Sequence, residues 1–356
     1  VGDLLYAANA EDTVATFGLS VDGSVRSIAA LPTGVDGRTG RVCTTVALHP
    51  TSRTIYCGFT EDASRGLTTF RLGDDGVPAL RDTNAIESLV LNVRHLHVVG
   101  DTLYFALFRG GLWAASIASD GALSNFHDTG LAGDIRFVEG DASRLVVLDN
   151  DRGLVIARPE GERVVELGRL GLDGPKIGLS LRGDRAFVAL GSAGAYAVNV
   201  AGERPVVEAV YRPPGVVTSV DRDGDALAVA CTSGVFLYDV AGVSPRLAGF
   251  ANARAIMLHA RFHRGELLVA DWLDLVRYRG NRQGRPRALD VSWGTYEREE
   301  ARARLVVRNV SDEPLTFDGH NTFSSRQVAA GMSAEIPLAS NLFRADGTEL
   351  WSLDLE

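Results

Sequence analysis

The chain contains 356 residues, of which 46% are hydrophobic and 23% are charged, as is typical of a globular protein. Its formal net charge of -9 argues against nucleic-acid binding, because that function needs a basic surface. No apolar run approaches the roughly 18–20 residues that a membrane-spanning helix requires, so the sequence predicts no transmembrane segment.

A short apolar segment recurs along the chain with a period of about 41 residues. Two loose copies lie near Leu4 and Ile55, and five clear copies follow them. The clear copies occupy residues 103–107, 145–149, 186–190, 227–231 and 267–271. A period near 40 that is built from short apolar strands is typical of a β-propeller. The sequence therefore predicts an all-β, seven-bladed propeller over residues 1–290.

Each repeat divides into four predicted strands, which form one antiparallel blade. In the repeat at 176–214, turns that contain Gly183 and Gly194 separate the first three strands. The predicted second and third strands each occur seven times, but the first strand occurs only six times. We therefore expect blade one to lack its innermost strand in this chain, so that an upstream or a later segment closes the ring.

The repeat stops after Asp290, and residues 291–356 follow a different pattern. Short predicted strands alternate with turns near Asp312 and Gly331, while residues 293–300 are predicted to be a linker or a first edge strand. The predicted strands are 303–310, 314–317, 325–328, 333–338 and 350–353. These features predict a small antiparallel β-sandwich, and no helix is predicted anywhere in the chain.

The chain contains three cysteines, so at least one thiol is unpaired. Cys43 and Cys57 fall on neighbouring strands of one predicted hairpin, in which Cys57 lies nearer to Val46 than to Cys43. We therefore predict buried free thiols, with a Cys43–Cys57 disulfide as the alternative. The chain begins Val1-Gly2 without a signal-peptide pattern, as a mature exported protein without its leader or a trimmed chain would.

Two parts of the repeat region resemble known propeller groups. Blades five and six resemble the LVIVD-type repeat of bacterial and archaeal propellers, and the matching segments are 183–189 with 194–200 and 224–230 with 234–240. Blades one and two are more similar to the lactonase-type, 6-phosphogluconolactonase-like propellers, and the matching segments are 5–9 with 12–14, and 47–56. The matched residues build strands and turns, so no catalytic residue is carried over.

These resemblances imply different roles. The LVIVD-type group implies a surface or periplasmic protein without defined chemistry, whereas the lactonase-type group implies hydrolysis or formation of a lactone ester. Residues 291–356 resemble the small Ig-like modules that are appended to bacterial secreted proteins. The LVIVD-type and Ig-like resemblances together imply an extracytoplasmic location, whereas the residues themselves do not exclude a cytoplasmic one.

Polar residues recur at one position when the innermost strands are aligned on the turn that follows them. The aligned triplets are 47–49, 95–97, 137–139, 178–180 and 259–261. Their last residues are expected to form a polar tier at one height: His49, His97, Glu139, Ser180 and Arg261. His95 and His259 lie one step along, and His95 shares a face with His97 because the two residues are two apart on a strand.

Imidazoles from different blades can bind one transition metal, which makes His95, His97 and His259 a candidate metal site with a transition metal as cofactor. The alternative is a set of structural histidines without a cofactor, because inner-strand residues often pack between blades. Residues 221–225 resemble the opening of a calcium loop, but the glycine and glutamate that such a loop needs are missing, so we predict a turn there.

Aromatic and charged residues near the turns between second and third strands form a candidate ligand or partner surface. The candidates are Phe108, Arg109, Trp113, Asp149, Asp271 and Trp272. Aromatic residues beside arginine are typical of binding hot spots. The alternative is that the tryptophans pack between blades and that the aspartates are structural.

These features favour a non-enzymatic, extracytoplasmic binding or scaffold module that presents a disc face to a protein partner. The alternatives are a lactonase-type hydrolase or isomerase and a His-ligated metalloenzyme, each acting in the central tunnel. An enzyme needs a polar pocket with convergent titratable groups, whereas a binding module needs an aromatic face.

Overall fold

The computed structural model describes most of the chain. The described residues are 4–9, 13–20, 24–32, 43–59, 67–84, 92–213, 215–232, 234–241, 246–252, 257–271, 275–278, 289–297, 302–309, 314–319, 323–337, 340–343 and 349–353. Every regular element in these ranges is a β-strand. No helix that could cross a membrane occurs among them.

The first 26 strands form seven consecutive antiparallel sheets, which are the blades of a β-propeller. The strands of blade one match the predicted second to fourth strands: β1 (Leu4–Asn9), β2 (Thr13–Leu19) and β3 (Val25–Pro32). Blade two contains β4 (Cys43–His49), β5 (Thr54–Phe59), β6 (Leu67–Leu72) and β7 (Pro78–Asn84). Blade three contains β8 (Val93–Val99), β9 (Thr102–Leu107), β10 (Gly111–Ile117) and β11 (Leu123–Asp128).

The remaining blades repeat this order, with the innermost strand first. Blade four contains β12 (Ile135–Gly140), β13 (Leu145–Asp149), β14 (Gly153–Glu160) and β15 (Arg163–Leu170). Blade five contains β16 (Gly178–Arg182), β17 (Arg185–Ala189), β18 (Ala195–Asn199) and β19 (Val206–Tyr211). Blade six contains β20 (Val217–Asp223), β21 (Ala226–Cys231), β22 (Gly234–Asp239) and β23 (Arg246–Asn252). The described strands of blade seven are β24 (Met257–His263), β25 (Glu266–Asp271) and β26 (Leu275–Tyr278). The predicted all-β, seven-bladed architecture is confirmed.

The chain divides into two compact units, and the division falls within blade five. The units are Val1–Ala186 with Val198–Glu208, and Phe187–Ala197 with Ala209–Glu356. In the first unit, every residue of β13 is buried, as in a strand that is covered on both faces. In the second unit, β21 is buried from Leu227 to Cys231. The apolar segments that define the sequence period are therefore the second strands, which carry the core.

The innermost strands share a β-bulge near their first residue. The register shifts between Cys43 and Thr45, Val93 and His95, Ile135 and Phe137, Val217 and Ser219, and Met257 and His259. Alignment on the bulge makes residues 45–47, and not 47–49, equivalent to 95–97. The predicted alignment of blade two was wrong by two residues, because the turn after β4, at residues 50–53, is two residues longer than the turn after β8, at residues 100–101.

The disulfide is a second correction. The predicted register is confirmed, since Cys57 faces Val46 across the hairpin. Cys43 and Cys57 nevertheless form a disulfide bond, with their Cα atoms 5.9 Å apart. The bulge beside Cys43 explains the contact, because it brings a diagonal neighbour on the next strand into the range that a disulfide can bridge. The prediction of free thiols was therefore wrong for this pair, while Cys231 is a buried free thiol.

The strands after blade seven form two further antiparallel sheets. One contains β27 (Leu289–Glu297), β28 (Arg302–Asn309) and β31 (Ser333–Pro337). The other contains β29 (Leu315–Gly319), β30 (Phe323–Val328), β32 (Ser340–Phe343) and β33 (Glu349–Leu353). Asn309 is fully buried and links the sheets, because its Nδ2 donates a hydrogen bond of 2.9 Å to the Val328 carbonyl. Residues 293–300 were predicted to be a linker or a first edge strand, and residues 293–297 do belong to the edge strand β27. Strand β32 was not predicted.

Candidate functional site

The innermost strand of each blade has one edge that pairs with the second strand and one edge that does not. Backbone N–H groups along the unpaired edge need other acceptors, since a buried and unsatisfied N–H group is costly. The structure supplies these acceptors from polar side chains of the preceding blade. The bonds fall into two tiers, which are two residues apart along the strand.

The upper tier uses the first residue after each bulge. Thr45 Oγ1 accepts a hydrogen bond of 3.3 Å from Leu96 N in the next blade. The ring nitrogen His95 Nδ1 accepts one of 3.4 Å from Val138 N, and Ser219 Oγ accepts one of 3.3 Å from Ala260 N. The same repeat position therefore holds neighbouring blades together with three different side chains.

The lower tier lies two residues further along. His97 Nε2 lies 2.9 Å from the Gly140 carbonyl oxygen and 3.1 Å from Gly140 N, so its tautomer decides whether it donates to the first or accepts from the second. Glu139 Oε2 accepts one of 2.6 Å from Leu181 N, and the fully buried Asp221 accepts one of 2.7 Å from Phe262 N. Of the five residues predicted to form a polar tier, His97 and Glu139 contact the next blade in this way, and Asp221 is an addition.

The predicted metal ligands are placed among these bridges. The imidazoles of His95 and His97 each contact a backbone N–H of blade four, and His95 also stacks on Phe137 with ring centroids 5.2 Å apart. His49 lies outside the tier and holds its own turn, with Nδ1 2.7 Å from Ser52 Oγ. In the part of the chain that the structure describes, no three His, Cys, Asp or Glu side chains come together as metal ligands.

His259 contacts the hydroxyl of Ser219, with 2.8 Å between Nδ1 and Oγ. The same oxygen accepts a hydrogen bond from the Ala260 N–H, so Ser219 contacts both the His259 ring and the backbone of the next blade. The His259 ring can be reached by solvent, but the surrounding strands displace much of the water that would hydrate an imidazolium. This desolvation lowers the pKa of His259 to about 4, with a smaller contribution from Arg261 and an opposing one from Asp221.

The remaining predicted tier residues and the calcium-like segment have these environments. Ser180 is buried in β16, and the Arg261 guanidinium lies 3.9 Å from the Asp221 carboxylate. Asp221 and Asp223 are part of β20, and the chain turns at Gly224 with a φ of 58°. The turn is therefore shorter than predicted, since residues 221–223 belong to the strand and only residues 224–225 form the turn.

The predicted surface residues have different environments. Arg109 is exposed at a turn, with a φ of 57°. Trp113 is half-buried, packs on the core of blade three, and donates a hydrogen bond to the Gly110 carbonyl. Asp149 is fully buried and accepts hydrogen bonds from the Asp151 and Arg152 backbone N–H groups, so it holds a turn. Asp271 ends β25 with its side chain outside the described residues, and Trp272 lies outside them entirely.

A cationic cluster that the sequence analysis missed surrounds Phe108. The guanidinium carbons of Arg94, Arg109 and Arg136 lie 5.0, 5.1 and 5.5 Å from the centre of its ring. Burial lowers the pKa of Arg94, and repulsion from Arg136 lowers it further, against the attraction of Asp134. Arg94 and Arg136 occupy equivalent positions inside the bulges of β8 and β12. If the innermost strands are aligned on their bulges, the two arginines therefore fall at the same repeat position.

The cluster lies at the bulge end of blades three and four, which we define as the end where the innermost strands begin and the second strands finish. A cavity of about 340 Å³ opens beside the cluster. Its lining includes Arg94, Arg136, Lys176, Thr44, Asn150 and Phe137. Aromatic and cationic groups therefore meet at one end of these two blades.

No protein-family model matches the chain, and no curated protein matches it. Solved structures are similar to it in fold. BBS1N in complex with ARL6DN aligns with 14% identity and a TM-score of 0.56, over 78% of this chain and 88% of that one. U3-55K aligns with 12% identity and a TM-score of 0.58, over 79% and 89% of the two chains. Sqt1 of Saccharomyces cerevisiae aligns with 12% identity and a TM-score of 0.58, over 94% and 93%. At these identities the similarity establishes the fold alone.

Proposed function

We propose that this protein is a non-enzymatic binding or scaffold propeller, which presents the bulge end of blades three and four to an acidic surface on a protein partner. Propellers commonly serve as protein-interaction scaffolds. The observation that carries the proposal is the cluster in which Arg94, Arg109 and Arg136 surround Phe108. Arginine and aromatic side chains are the residues that dominate binding energy at protein interfaces.

The environment of the other polar residues supports a binding role over catalysis. The side chains that could have formed a catalytic centre, among them His95, His97 and Glu139, form hydrogen bonds with backbone groups of the next blade. An active site requires such groups to converge on a substrate position. BBS1N, which is similar in fold, has been solved in complex with ARL6DN, and that complex is a precedent for a protein partner.

We also propose an extracytoplasmic location. The Cys43–Cys57 disulfide supports it, because disulfides persist in oxidising compartments and are rare in the cytosol. We propose two family relationships from the sequence pattern. Blades five and six are related to the LVIVD-type propellers, and the residues after 290 form an Ig-like module. The Asn309 side chain that joins the two last sheets is compatible with such a module.

Site-specific photo-crosslinking in the organism that makes the protein tests the binding face. A benzophenone amino acid at Arg109 lies at the bulge end, whereas the same substitution at the exposed Ala142 lies at the opposite end of blade four. We expect a discrete protein adduct from position 109 alone, and we expect Arg94→Glu to reduce adduct formation from that position. Adducts of equal yield from both positions, or none from position 109, would count against the proposed face.

Two measurements address the enzymatic alternatives. Elemental analysis of protein purified without metal-affinity resin tests the His-ligated metalloenzyme, since a near-stoichiometric transition metal that is lost in His95→Ala and His259→Ala would support it. Hydrolysis of a panel of lactones, with and without the His97→Ala substitution, tests the lactonase-type reading. Either positive result would favour an enzymatic function over the proposed binding function.

A further inference from the structure

The cavity beside the cationic cluster has an unbalanced charge. Three cationic side chains, Arg94, Arg136 and Lys176, line it, and none of the lining residues that the structure describes is acidic. The Asp134 carboxylate lies beside them, with Oδ2 3.6 Å from Arg136 Nη2. One carboxylate therefore faces at least two guanidinium groups that repel each other, and an added anion would stabilise the arrangement.

Donor groups at the cavity also remain available. The buried Nε atoms of Arg94 and Arg136 have no hydrogen-bond partner among the described residues. Lys176 Nζ donates to the carbonyls of Leu172 and Gly174, at 2.7 and 2.9 Å, which uses two of its three N–H groups. Unsatisfied buried donors are unusual in folded proteins. The two Nε atoms are closed off from solvent, so a ligand in the cavity contacts Arg94 and Arg136 through the remaining atoms of their side chains.

We propose that this cavity binds a small organic oxyanion, through a carboxylate or phosphate head group held by Arg94, Arg136 and Lys176. Guanidinium groups match the planar oxygen pairs of carboxylates and the oxygens of phosphates in a bidentate geometry. A volume of about 340 Å³ lies at the lower end of the range for ligand pockets, so it fits a small metabolite and excludes a folded protein segment.

The walls of the cavity define the rest of the ligand. Phe137, Ile177 and Pro175 supply apolar surface, while Thr44 and Asn150 add polar groups. A short carbon chain that carries one or two oxyanion groups would contact the apolar walls through its carbon atoms and the polar walls through its oxygen atoms. This site goes beyond the proposed protein-binding role, because a small ligand can bind the cavity of the free protein without any partner.

Isothermal titration calorimetry on the full chain tests the site. The probes are succinate, glycerol 3-phosphate and acetate, each compared with sodium chloride at equal ionic strength. We expect saturable binding of succinate or glycerol 3-phosphate at one site per chain and much weaker binding of acetate. The tighter of the first two identifies the head group. No saturable binding of any probe would overturn the proposal.

Variants separate a built site from general attraction to arginine. Arg94→Gln and Lys176→Gln should each weaken binding about tenfold or more, as expected for a charged hydrogen bond. Lys176 lies outside the strands and is the safer variant if Arg94→Gln fails to fold. The matched control is Arg158→Gln, an exposed arginine on β14 that pairs with Glu160. Equal affinity in all of these variants would overturn the proposal.

Arg109→Gln distinguishes the two proposals. Arg109 contacts Phe108 but does not line the cavity, so this variant should weaken co-purification of the partner that crosslinking identifies and leave the affinity for the small anion unchanged. Loss of anion binding in Arg109→Gln would count against the cavity as the site. Anion binding without any crosslinked partner would leave this inference standing and remove the proposed function.

Discussion

The Asp221 carboxylate is fully buried in blade six and accepts the Phe262 N–H of blade seven, with 2.7 Å between Oδ2 and N. Asp221→Ala removes this acceptor and leaves a backbone N–H without its partner, which should lower the free energy of unfolding by about 1–3 kcal/mol. Asp221→Asn keeps an acceptor oxygen and should cost less. Urea unfolding at neutral pH measures both changes, with the exposed Asp173→Ala as the control. A loss no larger than that of the control would show that the bridge contributes little.

His259 should make the stability depend on pH. Its pKa in the folded protein is about 4, against an ordinary value of 6.5, so the unfolded chain takes up the proton first as the pH falls. The free energy of unfolding should therefore decrease between pH 6.5 and about pH 4, and this contribution is fully present above pH 6.5. Urea unfolding of the wild type and of His259→Asn at several pH values measures it. The decrease should be smaller in the variant, and parallel curves would contradict the assignment.

At the scale of the strand, the bulge decides which residues are equivalent. The sequence correctly predicted the second strands, because a continuous apolar run specifies a strand that is buried on both faces. The sequence alignment placed His49 at the wrong repeat position. Strands of different blades can be aligned from the turn that follows them only if the length of each turn is known. The bonds from Ser219 to Ala260 N and from Asp221 to Phe262 N were also not predicted, because the bulge of blade six, which sets the alignment, has no sequence signature of its own.

The hairpin of β4 and β5 carries a disulfide that the strand register alone argued against. We expect a single accessible thiol when the unfolded protein is alkylated without reductant, since Cys43 and Cys57 are bonded and Cys231 is free. Reduction before alkylation should raise the number of labelled cysteines to three. Mass spectrometry of the alkylated chain gives both numbers, and three labels without reductant would contradict the bond.

The same bond should stabilise the protein. The two cysteines are 14 residues apart, and closure of a loop of this size stabilises a folded state by about 3 kcal/mol in the chain-entropy model. The double variant Cys43→Ala, Cys57→Ala should therefore unfold at lower urea than the wild type. Cys231→Ala, which removes a buried thiol outside the bond, is the matched control: it keeps the disulfide and should still lose stability when reductant is added, whereas the double variant should not respond to reductant.

At the scale of the whole molecule, the period of the sequence was enough to predict the fold, whereas the candidate site could not be derived from it. Phe108 and Arg109 come from a turn, Arg94 and Arg136 come from bulges of two blades, and Lys176 comes from the connection to blade five. These segments meet only because the innermost strands of adjacent blades lie side by side. A cationic site is also masked in the composition, since the chain as a whole has a net charge of -9.

The boundary between the two compact units falls within blade five. Its strands β17 and β18 each begin in one unit and end in the other. We therefore expect the blades to open together, although repeat proteins can also unfold one neighbour at a time. Hydrogen exchange read at β13 and at β21 compares the units, because both strands are buried and should exchange only on large-scale opening. The two strands should give the same opening free energy.

Asp221→Ala makes this test decisive. The substitution lies in the second unit, so independent units would lose protection at β21 and keep it at β13. A single cooperative molecule would lose protection at both strands by the same amount, which should match the loss of about 1–3 kcal/mol expected in urea. The exposed Asp173→Ala should change neither strand. A change confined to β21 would mean that the shared sheet does not couple the units.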